Sequence, residues 1–178
     1  MTGWTALVLA ALTASAGTGL AGVDYAAPPP DFPIPSANGA QHLYALRGRV
    51  VVIDFWATWC DVCTAEMKYF VRAQQSFGNR VTVLTVSPDS RDVAATYLHF
   101  SHIALPVIED SVGAISRAYS VSKIPVTLVL NPSGNVSYVS VGALTWDELR
   151  GAIEQAAGGP SGGASLPAPS TPSPRVLQ

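Results

Sequence analysis

The run Val50-Val51-Val52-Ile53-Asp54-Phe55-Trp56 leads almost directly into Cys60-Asp61-Val62-Cys63, and no other segment restricts the fold as much. A continuous β-branched stretch of this kind reads as a central strand buried on both faces. From Cys60 to about Phe77 the spacing becomes helical, with Val62, Met67, Phe70 and Val71 available for an inner face, and Gly78-Asn79 ends the helix. Residues 81–86 form a second buried strand, so the three segments make a right-handed parallel βαβ unit. Pro88-Asp89-Ser90 opens a helix over about 91–100. A short apolar segment, 105–108, precedes another helix near 112–119. Residues 126–130 and 136–141 are strands joined by the turn-rich Asn131-Pro132-Ser133-Gly134-Asn135, which reads as antiparallel. Thr145 and Glu148 form a capping box for a last helix that runs to about Ala157. Upstream, 31–34 and 41–44 flank Asn38-Gly39 as a short β-hairpin. The fold class is α/β, a mixed central sheet with helices on both faces.

The two cysteines are the only ones in the chain. A disulfide scaffold needs several bridges and a structural zinc site needs four ligands, so a close pair reads as redox chemistry. The first turn of a helix offers unpaired N–H groups and the positive end of a dipole, where a thiolate at Cys60 is stabilised. Two intervening residues let Cys63 reach back within one turn and resolve a mixed disulfide on Cys60. Asp54 is a carboxyl in the middle of an apolar strand, where burial raises its pKa. The alternative is a strand-end Asp bonded to neighbouring backbone. His99 and His102 share a helix face, but without a third nearby ligand they read as solvated or capping groups, and His42 is far in sequence.

The first 23 residues carry no charged side chain. Trp4 to Leu12 is an apolar run, and Ala14-x-Ala16 is a small-x-small pattern suited to signal peptidase, although no Lys or Arg precedes it. Residues 1–23 are therefore expected to be a signal peptide or N-terminal anchor, and export follows. No cysteine lies near the cleavage pattern, which excludes a lipoprotein anchor. Residues 24–30, ending in Pro28-Pro29-Pro30, read as a linker, 31–157 as the domain, and the Gly/Pro/Ser-rich 158–178 as a disordered tail. A formal net charge of −2 gives no basic field for nucleic acid.

Phe55-Trp56-Ala57-Thr58-Trp59-Cys60-x-x-Cys63 resembles the active-site segment of thioredoxin-like proteins, in particular the exported bacterial group related to TlpA and ResA. That group includes reductants of cytochrome c maturation. The resemblance covers about 31–157. It extends to a hairpin before Arg49, to a central insertion (Leu105-Pro106-Val107-Ile108-Glu109-Asp110, then Ala118-Tyr119-Ser120-Val121), and to the closing Val141-Gly142-Ala143-Leu144-Thr145 with Glu148-Leu149. It implies a thioredoxin fold and a protein disulfide oxidoreductase with no cofactor beyond the Cys60–Cys63 pair. Its partners would be a protein dithiol or disulfide and a membrane thiol reductase as electron donor. Ile124-Pro125-Val126-Thr127 matches the family's loop, which implies a cis Pro125 against the disulfide that blocks metal capture, and an Ile124 backbone that bonds an extended substrate strand. The alternative is a trans proline opening a strand. Trp59 shapes the same surface. Asp54 resembles the thioredoxin Asp that relays a proton for the resolving cysteine. Glu66 matches a Glu that tunes the cysteines in the exported group, against the alternative of a solvated helix residue.

Two departures stand out. Val62 replaces the family's usual proline, and the acidic Asp61 disfavours a thiolate at Cys60, which favours the disulfide state and a more reducing centre. Peroxiredoxins share the fold, but their Pro-x-x-x-Thr-x-x-Cys setting is not found in the chain. The rival from another class is a metal (copper) binding or delivery module using the same cysteines, although the Sco type spaces its cysteines three apart.

Overall fold

The computed structural model describes residues 28–35 and 41–158. The expected leader, the Asn38-Gly39 turn and nearly all of the expected tail lie outside those residues. The strands are β1 (Pro33–Ile34), β2 (Gln41–His42), β3 (Val50–Phe55), β4 (Val81–Ser87), β5 (Val107–Glu109), β6 (Val126–Leu130) and β7 (Val136–Val141). The α-helices are α1 (Asp61–Phe77), α2 (Arg91–Phe100), α3 (Ala114–Ala118) and α4 (Trp146–Gly158), and a 3-10 turn covers Leu43–Leu46. Among the described residues no helix is long and apolar enough to cross a membrane.

Five strands form one sheet in the order β5-β4-β3-β6-β7. β3 runs parallel to β4 and β4 parallel to β5, whereas β6 is antiparallel to both β3 and β7. This is the thioredoxin arrangement that the resemblance implies. Every residue of β3 is buried, as its unbroken apolar run requires of a strand at the centre. Alternate residues supply two cores. Val50 and Val52 pack with Met67 and Phe70 of α1 and with Leu149 and Ile153 of α4. Val51 and Ile53 pack with Phe32, Ile34 and Leu43 of the N-terminal segment and with Tyr119.

Three expectations change. The 105–108 segment is read above only as apolar, but its end is a parallel edge strand, β5, that pairs with β4 from Thr85↔Val107 to Ser87↔Glu109. The helix expected over 112–119 shortens to α3, because Gly113 lies in the left-handed region (φ 69°) and Asp110 accepts the N–H groups of Ile115 and Ser116. The hairpin is two residues per strand, since Leu43 and Tyr44 turn into the 3-10 segment. Its approach is held firmly. Tyr44 donates its hydroxyl hydrogen to the Pro29 carbonyl at 2.8 Å, and Tyr119 donates to the Pro30 carbonyl at 2.6 Å. The capping box is present: the Thr145 N–H donates to Glu148 at 2.7 Å, and the Glu148 N–H donates to Thr145 Oγ1 at 3.3 Å.

Candidate active site

β3 ends at Phe55, where the chain leaves the sheet and turns through Thr58-Trp59 to reach α1. Cys60 is the N-cap of that helix. Its backbone is extended, and its Sγ accepts the Cys63 N–H at 3.3 Å. The two cysteines form a disulfide with Cα atoms 5.3 Å apart. They are not equivalent. Cys60 is half-buried, between Trp59 (69% exposed) and Val62 (50% exposed), while Cys63 is completely buried. Val62 is therefore not part of the inner face assigned to it from spacing. With the cap at Cys60, the inward positions of α1 are Cys63, Glu66, Met67, Phe70 and Ala73, and Val62 points out.

Asp54 is completely buried one residue before the end of β3, not mid-strand, and is level with Thr85 and Thr127 on the flanking strands. Thr127 Oγ1 lies 3.4 Å from Asp54 Oδ1 and donates to it, so the partner is a side chain and not neighbouring backbone. Loss of water pushes the Asp54 carboxyl well above its usual range, nearby Glu66 pushes it further, and the Thr127 bond opposes both.

Glu66, one turn beyond Cys63, is 3% exposed, which overturns the solvated alternative. Its Oε2 accepts the Leu144 N–H at 2.9 Å, and burial raises its pKa to about 7 against that bond. Among the described residues, three buried side-chain polar atoms lack a hydrogen-bond partner: Asp54 Oδ2, Glu66 Oε1 and Trp56 Nε1. All three belong to this one region. Two of them belong to carboxyls whose pKa values burial raises, and such a pair is suited to acid–base chemistry.

The Ile124–Pro125 peptide bond is cis, as the resemblance implies. The Pro125 carbonyl accepts the Gly142 N–H at 2.9 Å. Ile124 and Trp59 line a groove of about 360 Å³ together with Phe55, Trp56, Pro88 and Lys123. The histidines are placed elsewhere. His42 pairs with Asp31 at 2.9 Å, and His99 and His102 line a separate groove with Arg91. Among the described residues no three His, Cys, Asp or Glu side chains group as a metal site would need.

Sequence reading missed Asp89. In Pro88-Asp89-Ser90 it looks like part of a helix start, but Ser90 is the N-cap of α2. The Asp89 carboxylate instead accepts the N–H of Thr58 at 2.8 Å, two residues before Cys60. No pattern in the sequence separates these two uses of an acidic residue ahead of a helix.

A reachable sulfur at a helix N-terminus, bonded to a sheltered one, can exchange its disulfide with an outside thiol pair. On this fold that chemistry defines a thioredoxin-like thiol–disulfide oxidoreductase. The chain belongs to the AhpC/TSA family, whose model matches residues 26–139. It is 30% identical over 135 residues to the thiol-disulfide oxidoreductase ResA of Oceanobacillus iheyensis, covering 72% of this chain and 70% of that protein. With ResA of Bacillus subtilis it shares 30% identity over 119 residues, 65% of this chain and 66% of the relative. Among solved structures, a thiol:disulfide interchange protein of the thioredoxin family from Chlorobium tepidum TLS is similar, with a TM-score of 0.63 and 25% identity. That match covers 72% of this chain and 94% of the other.

Proposed function

We propose that the protein reduces disulfides of other proteins outside the cytoplasm, with Cys60 as the attacking sulfur and Cys63 as the resolving one. The observation that carries this reading is the asymmetry of the pair: one sulfur half-buried at the helix cap, the other sealed from water. The Cys60 thiolate attacks one sulfur of the substrate disulfide, and the substrate's second sulfur leaves with the electron pair. Cys63 then gives up its proton and attacks Cys60 Sγ. The Cys60–Cys63 disulfide re-forms, the remaining substrate thiol is released, and two electrons have passed to the substrate.

Asp54 and Glu66 are the groups suited to take the Cys63 proton, since burial raises both carboxyls, Glu66 to about 7 and Asp54 well above its usual range. The substrate lies as an extended segment against the Ile124 backbone and Pro125, with an apolar side chain in the groove beside Trp59. A reducing direction is supported by Asp61, whose carboxylate disfavours the neighbouring thiolate. The apolar, uncharged 1–23 supports export, and a membrane thiol reductase would return the electrons. Apocytochrome c is the substrate that the resemblance to the ResA group suggests.

The test is to replace Cys63 with serine and recover disulfide-linked partners from an exported fraction. Exported proteins trapped on Cys60 are the expected result; an empty trap sinks the reading. Equilibration with glutathione tests direction, since full reduction in a mildly oxidising buffer contradicts a reductant.

A further inference from the structure

The turn that delivers Cys60 to α1 is supported from the end of β4. The Trp56 N–H donates to the Val86 carbonyl at 3.0 Å, and the Cys60 N–H donates to the Ala57 carbonyl at 3.1 Å. Between them, the Thr58 N–H donates to Asp89 Oδ2 at 2.8 Å. Asp89 is free to make this bond because Ser90 serves α2, its side chain accepting the Val93 N–H at 3.4 Å. The carboxylate is also braced. The Ser87 hydroxyl lies 3.2 Å from the same Oδ2 and donates to it, and Ser87 Oγ accepts the Asp89 N–H at 3.2 Å. Ser87 is completely buried at the end of β4, so the brace stands on the sheet itself.

We propose that Asp89 is a positioning residue for the attacking cysteine: its carboxylate holds the Thr58-Trp59 turn so that Cys60 Sγ stays over the first N–H groups of α1. A charge-assisted bond to a backbone N–H is about twice as strong as a neutral one. What it protects is a longer contact, the 3.3 Å approach of the Cys63 N–H to Cys60 Sγ, which a small shift of the turn would open. That contact and the helix end are what favour the thiolate over the thiol. The inference rests on the reading of Cys60 as the attacking sulfur.

Two substitutions separate the bond from the charge. Asp89→Asn and Asp89→Ala both remove the carboxylate's charge, but only asparagine keeps an oxygen that can accept the Thr58 N–H. In full-length protein carrying Cys63→Ser, the rate of Cys60 alkylation by iodoacetamide is followed against pH, with folding checked by circular dichroism. The Ala variant should show its midpoint about half a unit above that of the Asn variant, as loosening from a helix end implies. It should also react about threefold more slowly below that midpoint. Coincident profiles, or an Ala midpoint below that of Asn, overturn the proposal. If the Ala variant does not fold, Asp89→Ser, too short to reach Thr58, takes its place in the same comparison. Failure of Cys60 to react with iodoacetamide or with a protein disulfide such as insulin would instead sink the functional reading beneath it.

Discussion

Glu66 has been removed from water and given one backbone N–H in exchange, from Leu144, with its second oxygen left unpaired. The folded protein therefore holds a proton there up to about pH 7, whereas an unfolded chain releases it near 4.5. The native state binds more protons in that window, so stability is full below about 4.5 and declines as pH rises through about 7. The decline reaches roughly 3 kcal/mol from this one group. Glu66→Gln should abolish that part of the decline, leaving the oxidised variant more stable than the native protein at pH 7.5 relative to their difference at pH 4.5. Urea unfolding at the two pH values measures it, and parallel behaviour of the two proteins would show that Glu66 titrates normally. At this scale the sequence was readable where a residue broke a pattern. Asp54 interrupts an apolar strand, and the two cysteines stand at a spacing that only a helix turn explains. Glu66 was half readable, because its distance from Cys63 is plain but the Leu144 N–H that makes its burial tolerable comes from a segment 78 residues away. Asp89 was unreadable for the same reason, since its partner lies 31 residues back.

The elements around the disulfide make their own demands. Asp61 is the first residue of α1, where a negative charge meets the positive end of the helix and stabilises it by about 0.3–1 kcal/mol. The same charge disfavours a thiolate at Cys60. Asp61→Asn should therefore weaken the fold by a few tenths of a kcal/mol and make the reduction potential less negative by about 10–30 mV. Equilibration with glutathione reads the second effect, and an unmoved potential would remove Asp61 from the account of why the centre is reducing. At the far end of β7, Gly142 sits at φ +94° with open space around any added Cβ, and its N–H holds the Pro125 carbonyl. Gly142→Ala should cost about 1–3 kcal/mol through backbone conformation alone, measurable by thermal unfolding. Long elements such as β3, α1 and α2 could be read from periodicity. Short ones were misjudged: β5 depends on pairing with β4, and the start of α3 depends on Asp110.

Over the described residues, the sheet has one face covered by α1, α2 and α4 and the other by the N-terminal segment and Tyr119. Phe32, Tyr119 and Phe55 make a continuous aromatic contact from that segment to the floor of the groove, with ring centroids 5.8 and 5.7 Å apart. Tyr119 also gives the Pro30 carbonyl its hydrogen bond. Tyr119→Phe should lower stability by about 1–2 kcal/mol and make the 28–32 stretch an earlier target in limited proteolysis; an unchanged cleavage order would show the bond to be idle. The fold class was legible because it follows from the order of strands and helices. The manner in which the chain enters the domain was not, because a proline run reads as a spacer unless one knows that two phenols are waiting for its carbonyls. Those two bonds have a mechanical consequence. A pull arriving along the chain from the N-terminal side meets Tyr44 at Pro29 and Tyr119 at Pro30 before it meets any strand. Tyr119 belongs to the core on the face opposite α1, so that second point of attachment lies across the sheet from the helix that begins at the cysteines.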